Sequence, residues 1–342
     1  MSDYAAIHDR PALESESARP EFDALLSGCG LFRLSNRAKI SLSGKDRMRW
    51  LNGMISNRVR DLAPGQGVYA FVLNPQGHIL GDLYAYNRGE SLLVDSDQSQ
   101  AERLLEIFRR HIIMDAVQLA NVSDQSTAIG IAGPQAGEVL RAAGLNFGEV
   151  SPLQFVDRTW REVPLSVARN DNAVIESYEV WLTPAHVSLL WEALASSGAT
   201  AVGSTPLELL RIACGIPRYG QDIRERDLPQ ETEQLRALSF DKGCYIGQEI
   251  VERIRSRGKV HRCFTGFEVT GPLPVPGEKI QYQGKEVGEV TSAASLPLAG
   301  GNQKVALGYL RREASAAEHP LEAGEARLRV AELPFVAAFP KR

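Results

Sequence analysis

The sequence predicts an α+β fold of two related antiparallel sheet-plus-helix subdomains and a C-terminal β-barrel. Three observations carry this. A strand–glycine–helix pattern occurs twice, over residues 40–51 and 129–140. Strand-like and helix-like runs follow each copy in the same order. Past His261 the chain changes to short apolar runs broken by Gly and Pro, as in a small all-β domain of roughly 80 residues.

The elements follow in chain order. Residues 1–20 are polar, with Glu14-Ser15-Glu16-Ser17, and are expected to form a flexible N-terminus. Residues 21–260 divide into subdomains at about 21–125 and 126–260, with room for interleaving. Ile40-Ser41-Leu42-Ser43-Gly44 alternates like a strand, and residues 46–51 read as helix. Ile129-Gly130-Ile131-Ala132-Gly133 does the same before a helix over 134–140, whose Pro134 suits a first helical turn. In each copy a Leu stands seven residues after the glycine. After the first copy come strands at 68–73 and 79–86, joined by Asn74-Pro75-Gln76-Gly77. A helix follows with Leu104, Ile107, Phe108 and Ile112 on one stripe. After the second copy come strands at 165–168 and 178–182, then a helix with Val187, Leu190, Trp191 and Leu194 on one face. Residues 204–216 read as helix and 220–238 as irregular. Residues 261–342 form the barrel, punctuated by Gly271-Pro272-Leu273-Pro274, Pro276-Gly277 and Gly300-Gly301.

Composition sets bounds on function. The 342 residues are 44% hydrophobic and 23% charged, as in soluble globular proteins. A net charge of −4 gives no global attraction to nucleic acid or anionic membrane. No apolar run approaches the ~18 residues of a membrane helix. Met1-Ser2-Asp3-Tyr4 lacks a basic, then apolar, leader. Cys29, Cys214, Cys244 and Cys263 are scattered, without metal-site spacing, so no intrinsic metal is expected and a reducing cytoplasm is the expected compartment. The chain is expected to be a monomer.

The densest motif is Lys242-Gly243-Cys244-Tyr245-Ile246-Gly247-Gln248-Glu249. Two glycines bracket the thiol and permit a tight turn. Lys242 before it and a helix-like run after it favour the thiolate. The alternative is a cysteine buried in a Gly-rich turn. A basic tail follows at Arg253, Arg255, Arg257, Lys259, His261 and Arg262. It is either a solvated surface or a positive rim that attracts an anion or an acidic partner. It lacks aromatic interleaving, so direct nucleic-acid binding is not expected.

This motif, with Ile250-Val251-Glu252-Arg253 after it, resembles the signature of the YgfZ family, folate-binding relatives of the glycine cleavage T-protein (GcvT). Leu73-Asn74-Pro75-Gln76-Gly77-His78-Ile79, Gly215-Ile216-Pro217-Arg218-Tyr219-Gly220-Gln221-Asp222-Ile223 and Leu228-Pro229-Gln230-Glu231 are similar to further family landmarks in the same order. The resemblance covers about residues 35–338 and implies the GcvT-like folate-binding fold. It implies tetrahydrofolate or a derivative as cofactor. It assigns Glu179, Arg211, Asn74 and Tyr69 to the folate site.

Physical chemistry suits two of these assignments. One carboxylate can accept both the amino group and the ring N–H of a pterin, although Glu179 also reads as a solvent-facing strand residue. A guanidinium can pair with a carboxylate or stack on a ring, although Arg211 also reads as a surface residue over apolar neighbours. T-proteins carry an Ile-Asp-Asp-Leu segment with a catalytic first Asp, and in this chain the segment reads Ile79-Leu80-Gly81-Asp82-Leu83. With Gly81 at the catalytic position and Asp82 on the opposite strand face, folate binding without aminomethyl transfer is expected. Cys244 is assigned as a reactive thiol or transient ligand to a shared iron–sulfur cluster. The implied role is assembly or maintenance of iron–sulfur clusters in client enzymes, including tRNA-modifying ones, with scaffold or carrier proteins as partners. The competing reading is a folate-dependent aminomethyltransferase or demethylase, with Asp82 doing acid–base work. Cys29, Cys214 and Cys263 read as structural.

Overall fold

The computed structural model describes residues 16–258, 260–315, 320–335 and 338–339. A helix, α1 (Arg19–Ser27), starts inside the segment expected to fray, with Phe22 and Leu25 fully buried. The chain forms two compact units, each assembled from separated segments. One is Ser27–Ala201 with Gln234–Arg253. The other combines the described residues up to Leu26 with Val202–Glu233 and the chain from Ile254 onward.

The first unit contains two sheets. One has five strands in the order β3-β4-β5-β2-β6. These are β2 (Arg37–Ser43), β3 (Gly67–Leu73), β4 (Ile79–Asn87), β5 (Leu92–Asp97) and β6 (Gln118–Asn121). The other has six, in the order β8-β9-β10-β7-β1-β11. They are β1 (Gly30–Arg33), β7 (Thr127–Ala132), β8 (Phe155–Trp160), β9 (Val163–Arg169), β10 (Ser177–Leu182) and β11 (Thr200–Ala201). Every pairing is antiparallel except β1 with β11.

The internal echo is a structural repeat. Helices α2 (Arg47–Met54) and α3 (Ala101–Arg110) back the five-stranded sheet, as α4 (Ala136–Ala142) and α5 (Val187–Ser196) back the six-stranded one. Element order and strand order correspond, with β2 to β5 matching β7 to β10. Strand β1 breaks the symmetry by joining the second sheet ahead of the whole first half, so the halves interleave. The two repeat glycines explain the shared motif. Gly44 and Gly133 have φ of +100° and +133°, and a side chain at either would run into the backbone carbonyls of Ala116 and Gly28. Only glycine satisfies both demands.

Period-two alternation gives each sheet two buried faces. Ile40, Leu42, Leu83, Ala85, Leu92 and Val94 meet Leu51, Leu104 and Phe108 of α2 and α3. Ile129, Ile131, Val167 and Val180 meet Leu140, Leu190 and Leu194 of α4 and α5. The opposite faces share a third core of Tyr86, Leu93, Ala128, Phe155, Ala168 and Trp181.

The second unit is built on a closed barrel in the order β12-β15-β14-β13-β16-β17. Its strands are β12 (Arg262–Thr270), β13 (Lys279–Tyr282), β14 (Lys285–Leu298), β15 (Gly301–Arg311), β16 (Leu321–Ala323) and β17 (Ala326–Ala331). Phe267, Ile280, Val290, Ala306 and Leu328 fill it. Helix α6 (Ser204–Ala213) packs on β14 and β15 and delivers Arg211 to a buried ionic knot. The five N–H donors of Arg211 make five bonds. Nε goes to Glu208, Nη1 to Asp222 and to the carbonyl of Ile216, and Nη2 to Glu208 and Ser292. Burial opposes its charge, but Asp222 and Glu208 outweigh this and raise its pKa. Asp222, fully buried, also accepts from Thr291 and Ser292 of β14. Arg211 therefore ties α6 to the barrel, with its donors engaged by protein groups. Arg211→Met should lower unfolding free energy by roughly 3–5 kcal/mol, because it strands buried carboxylates. Denaturant unfolding measures this, and titration of the folded fraction should find folate affinity unchanged.

Candidate functional site

The faces of the two sheets turned away from the helices carry an unusual set of side chains. Arg37 and Lys39 alternate with Ala38 and Ile40 on β2, and Asp82, Tyr84 and Tyr86 alternate along β4. Tyr69 comes from β3, Asp95 from β5, and Glu179 and Trp181 from β10.

These groups form one connected polar and aromatic cluster. Lys39 and Asp95 are cross-strand partners, and Lys39 Nζ forms an ion pair with the Asp95 carboxylate. Arg37 Nε donates to the other Asp95 oxygen at 2.8 Å. Burial opposes the Asp95 charge, and Arg37 and Lys39 overcome it, so its pKa is lowered. Lys39 Nζ also lies 3.8 Å from Glu179 Oε2, which accepts a hydrogen bond from Trp181 Nε1 at 2.9 Å.

The aromatic side is equally constrained. Tyr69 and Tyr84 pack with centroids 5.0 Å apart, and Arg236 lies over the Tyr69 ring at 4.2 Å. Arg236 pairs with Asp171, which also accepts from Tyr84 Oη at 3.4 Å. Burial pushes the Tyr69 and Tyr84 phenols up, so both remain neutral donors. Tyr69 Oη donates to Asp82 Oδ2 at 2.7 Å, and Gln100 Nε2 donates to Asp82 Oδ1 at 2.8 Å.

This reverses the expectation about Gly81. A Cβ at Gly81 would point at Gln100 Oε1 (2.9 Å) and Leu104 Cδ2 (3.1 Å), toward the helix side. Asp82 is the residue on the face shared with Tyr69. The glycine removes no carboxylate from that face, and it leaves room for the Gln100 amide that clamps Asp82. The ground for excluding group transfer on account of Gly81 is thereby withdrawn.

Asn74 is not brought to this cluster. It sits in the β3–β4 turn, where Oδ1 accepts from the His78 amide at 2.9 Å. The Cys244 motif docks on that turn. A Cβ on Gly247 (φ +83°) would meet Asn74 O at 2.6 Å, and one on Gly77 (φ +78°) would meet Ile250 Cβ at 2.8 Å. Helix α7 (Gln248–Arg257) starts four residues after the thiol. Cys244 is exposed, while Cys29 and Cys214 are buried and Cys263 is intermediate. Gln248 Oε1 accepts from the Tyr245 amide at 3.3 Å, holding the turn.

Lys242 does not act as expected. Its Nζ turns inward to the carbonyls of Asn52, Ile55 and Asn57, capping the end of α2, and lies 4.7 Å from the Tyr245 ring centre. Burial, helped by the Arg58 charge, lowers its pKa to about 7. In the basic tail, Arg253 pairs with Glu249, and Arg262 pairs with Asp227 and Glu231. Lys259 lies outside the described residues, as does the Arg257 side chain.

The segment from Arg236 to Gly247 connects the two features. Arg236 covers Tyr69, the Ser239 amide donates to the Ser56 carbonyl, and Lys242 caps α2. Arg37, Lys39, Asp82, Tyr84, Asp171, Trp181 and Arg236 complete the site and were not singled out as ligands from sequence. The available signal was the alternation of Arg37 and Lys39 with apolar residues in β2, matched by Asp95 and Asp97 in β5.

A duplicated sheet-and-helix region followed by a closed six-stranded barrel defines the class: a mixed α/β chain with the GcvT-like fold. Residues 4–242 match the GCVT N-terminal domain, and the chain belongs to that family. Residues 261–336 match the CAF17 C-terminal beta-barrel domain. An aminomethyltransferase of Rubrobacter xylanophilus is 28% identical over 328 residues, covering 93% of this chain and 86% of its own. One from Rippkaea orientalis is 27% identical over 315 residues, covering 89% and 84%. The crystal structure of glycine cleavage system aminomethyltransferase T from Bartonella henselae matches with a TM-score of 0.83 at 22% identity, covering 94% of this chain and 90% of that one. No helix among the described residues is long and apolar enough to cross a membrane.

Lys242 carries a pH prediction. Its folded-state pKa lies below the ordinary lysine value, so the unfolded chain binds more protons above pH 7. Wild type should gain stability relative to Lys242→Met as pH rises from 7 toward 10, by up to about 1.4 kcal/mol per pH unit. Unfolding curves of both proteins across that range test the sign.

Proposed function

We propose that the protein binds tetrahydrofolate or a close derivative and, like the YgfZ proteins it resembles, supports iron–sulfur clusters in other enzymes. The observation that carries the folate reading is Glu179. It is a largely buried carboxylate held by Trp181 and Lys39, in a unit that also presents the Tyr69 and Tyr84 rings. Glu179 fits a pterin, because one carboxylate accepts both of its adjacent N–H donors. Bound folate supplies a carrier for one-carbon units, and the protein's part is to bind and orient it. Exposed Cys244, on a turn anchored by Lys242 and Gly247, supports the second half of the reading, because an accessible thiol can offer one ligand to a cluster shared with a partner.

Glu179→Ala should weaken tetrahydrofolate binding by about 2 kcal/mol, or roughly thirtyfold, since it leaves pterin donors without an acceptor. Calorimetry on both proteins is the measurement, and equal affinities would remove Glu179 from the site. Cys244→Ser should retain stability and folate affinity but lower iron–sulfur enzyme activity in cells lacking the native chain. A fully active serine variant would assign the thiol no role.

Asp82 favours a second reading, a folate-dependent aminomethyltransferase or demethylase. Its carboxylate lies on the Tyr69 face with both oxygens oriented, as a proton-accepting group requires. Incubation with tetrahydrofolate and an aminomethyl donor separates the readings. Under the second, methylene-tetrahydrofolate forms at about 1 per second or faster and Asp82→Asn abolishes it. Under the first, neither protein turns over.

A further inference from the structure

Lys39 has no exposed surface, and such a cation persists only where opposite charge meets it. Asp95 alone does not account for it, because Asp95 is already engaged by Arg37 through its other oxygen. The second carboxylate facing Lys39 is Glu179, 3.8 Å from Nζ. Along this row the charges run Arg37 positive, Asp95 negative, Lys39 positive and Glu179 negative, and they sum to zero. Trp181 completes the enclosure, with its ring 4.8 Å from Lys39 Nζ and its N–H on the same Glu179 oxygen. Tyr86, whose burial keeps it neutral, also adjoins Glu179 and adds no charge.

This balance has a consequence for the ligand. A buried carboxylate with no compensating cation recruits one from the ligand. A carboxylate already neutralised from its protein side instead accepts N–H donors from an uncharged group. Pteridines offer both cases. The 4-oxo ring presents its amino group and ring N–H without charge, whereas the 2,4-diamino ring is more basic and meets a carboxylate as a cation.

We propose that Lys39 is the specificity-determining residue of the Glu179 site and selects the neutral 4-oxopteridine edge over the cationic 2,4-diaminopteridine edge. The inference rests on the folate reading above and adds the charge state of the ligand to it. Lys39 acts through Glu179, as a positioning residue with an electrostatic part.

The test is calorimetric titration at pH 7 of wild type and Lys39→Met with tetrahydrofolate and its 4-amino analogue. Wild type should prefer the 4-oxo ligand. Lys39→Met should move the ratio of affinities toward the 4-amino ligand by about tenfold or more, the scale of one partly screened charge pair. A purely structural role for Lys39 would weaken both ligands together and leave the ratio fixed. Should Lys39→Met not fold, the double variant Lys39→Met/Asp95→Asn removes opposite charges together and carries the same comparison. An unchanged ratio, with tetrahydrofolate still bound, overturns the inference and leaves the folate reading standing. Failure of wild type to bind either pteridine overturns both.

Discussion

Placing charge between two sheets is the constraint around which the first unit is organised. A strand whose two faces are both buried cannot discard its polar residues to solvent, so each must find a partner across a ladder or across the gap. Lys39 meets this demand with Asp95 on the neighbouring strand and Glu179 on the facing sheet. The register of β2 against β5 is pinned by this pair as much as by the apolar residues behind it. A slip of one residue would turn Lys39 into the helix-backed core, where nothing charged awaits it.

The same two-sidedness separates stability from chemistry. The helix-facing sides hold Leu, Ile and Val against α2 to α5 and need only fill volume. The facing sides hold Arg37, Lys39, Asp82, Asp95, Glu179 and several phenolic or indole groups, whose arrangement depends on hydrogen bonds rather than shape alone. Asp82 shows the dependence most clearly. Its two oxygens are set by Tyr69 from the next strand and by Gln100 from the turn before α3. The barrel unit uses a comparable device around Arg211, but there every donor is consumed within the unit.

The fold was legible because the repeat was. Two strand–glycine–helix motifs and the stripes of α3 and α5 rest on local periodicity, which a single sequence displays directly. The barrel announced itself through its Gly and Pro spacing. Strand β1 was missed because four residues offer no period, and its sheet is decided by a partner about a hundred positions away. The site was less legible for the same reason. Alternation shows that Gly81 and Asp82 face opposite ways, but not which way the helix lies, and the assignment inverted on that point. Arg211 looked available because nothing near it in sequence reveals Asp222 and Ser292 as partners. Asn74 lies in a family landmark that folds here as a hairpin turn, which its own side chain helps to hold.

The close approach of Gly77 and Gly247 bears on the order in which the chain assembles. Each glycine leaves a gap that the other segment fills, so neither the β3–β4 hairpin end nor the loop carrying Cys244 reaches its final packing alone. The two segments are far apart in sequence, and contacts of that separation are late and slow because the intervening chain must be ordered first. The thiol is therefore presented in its final setting only once most of the first unit has formed. A nascent or partly folded chain would present this cysteine without the turn that holds it, so the local setting of Cys244 is a product of completed folding rather than of its own segment.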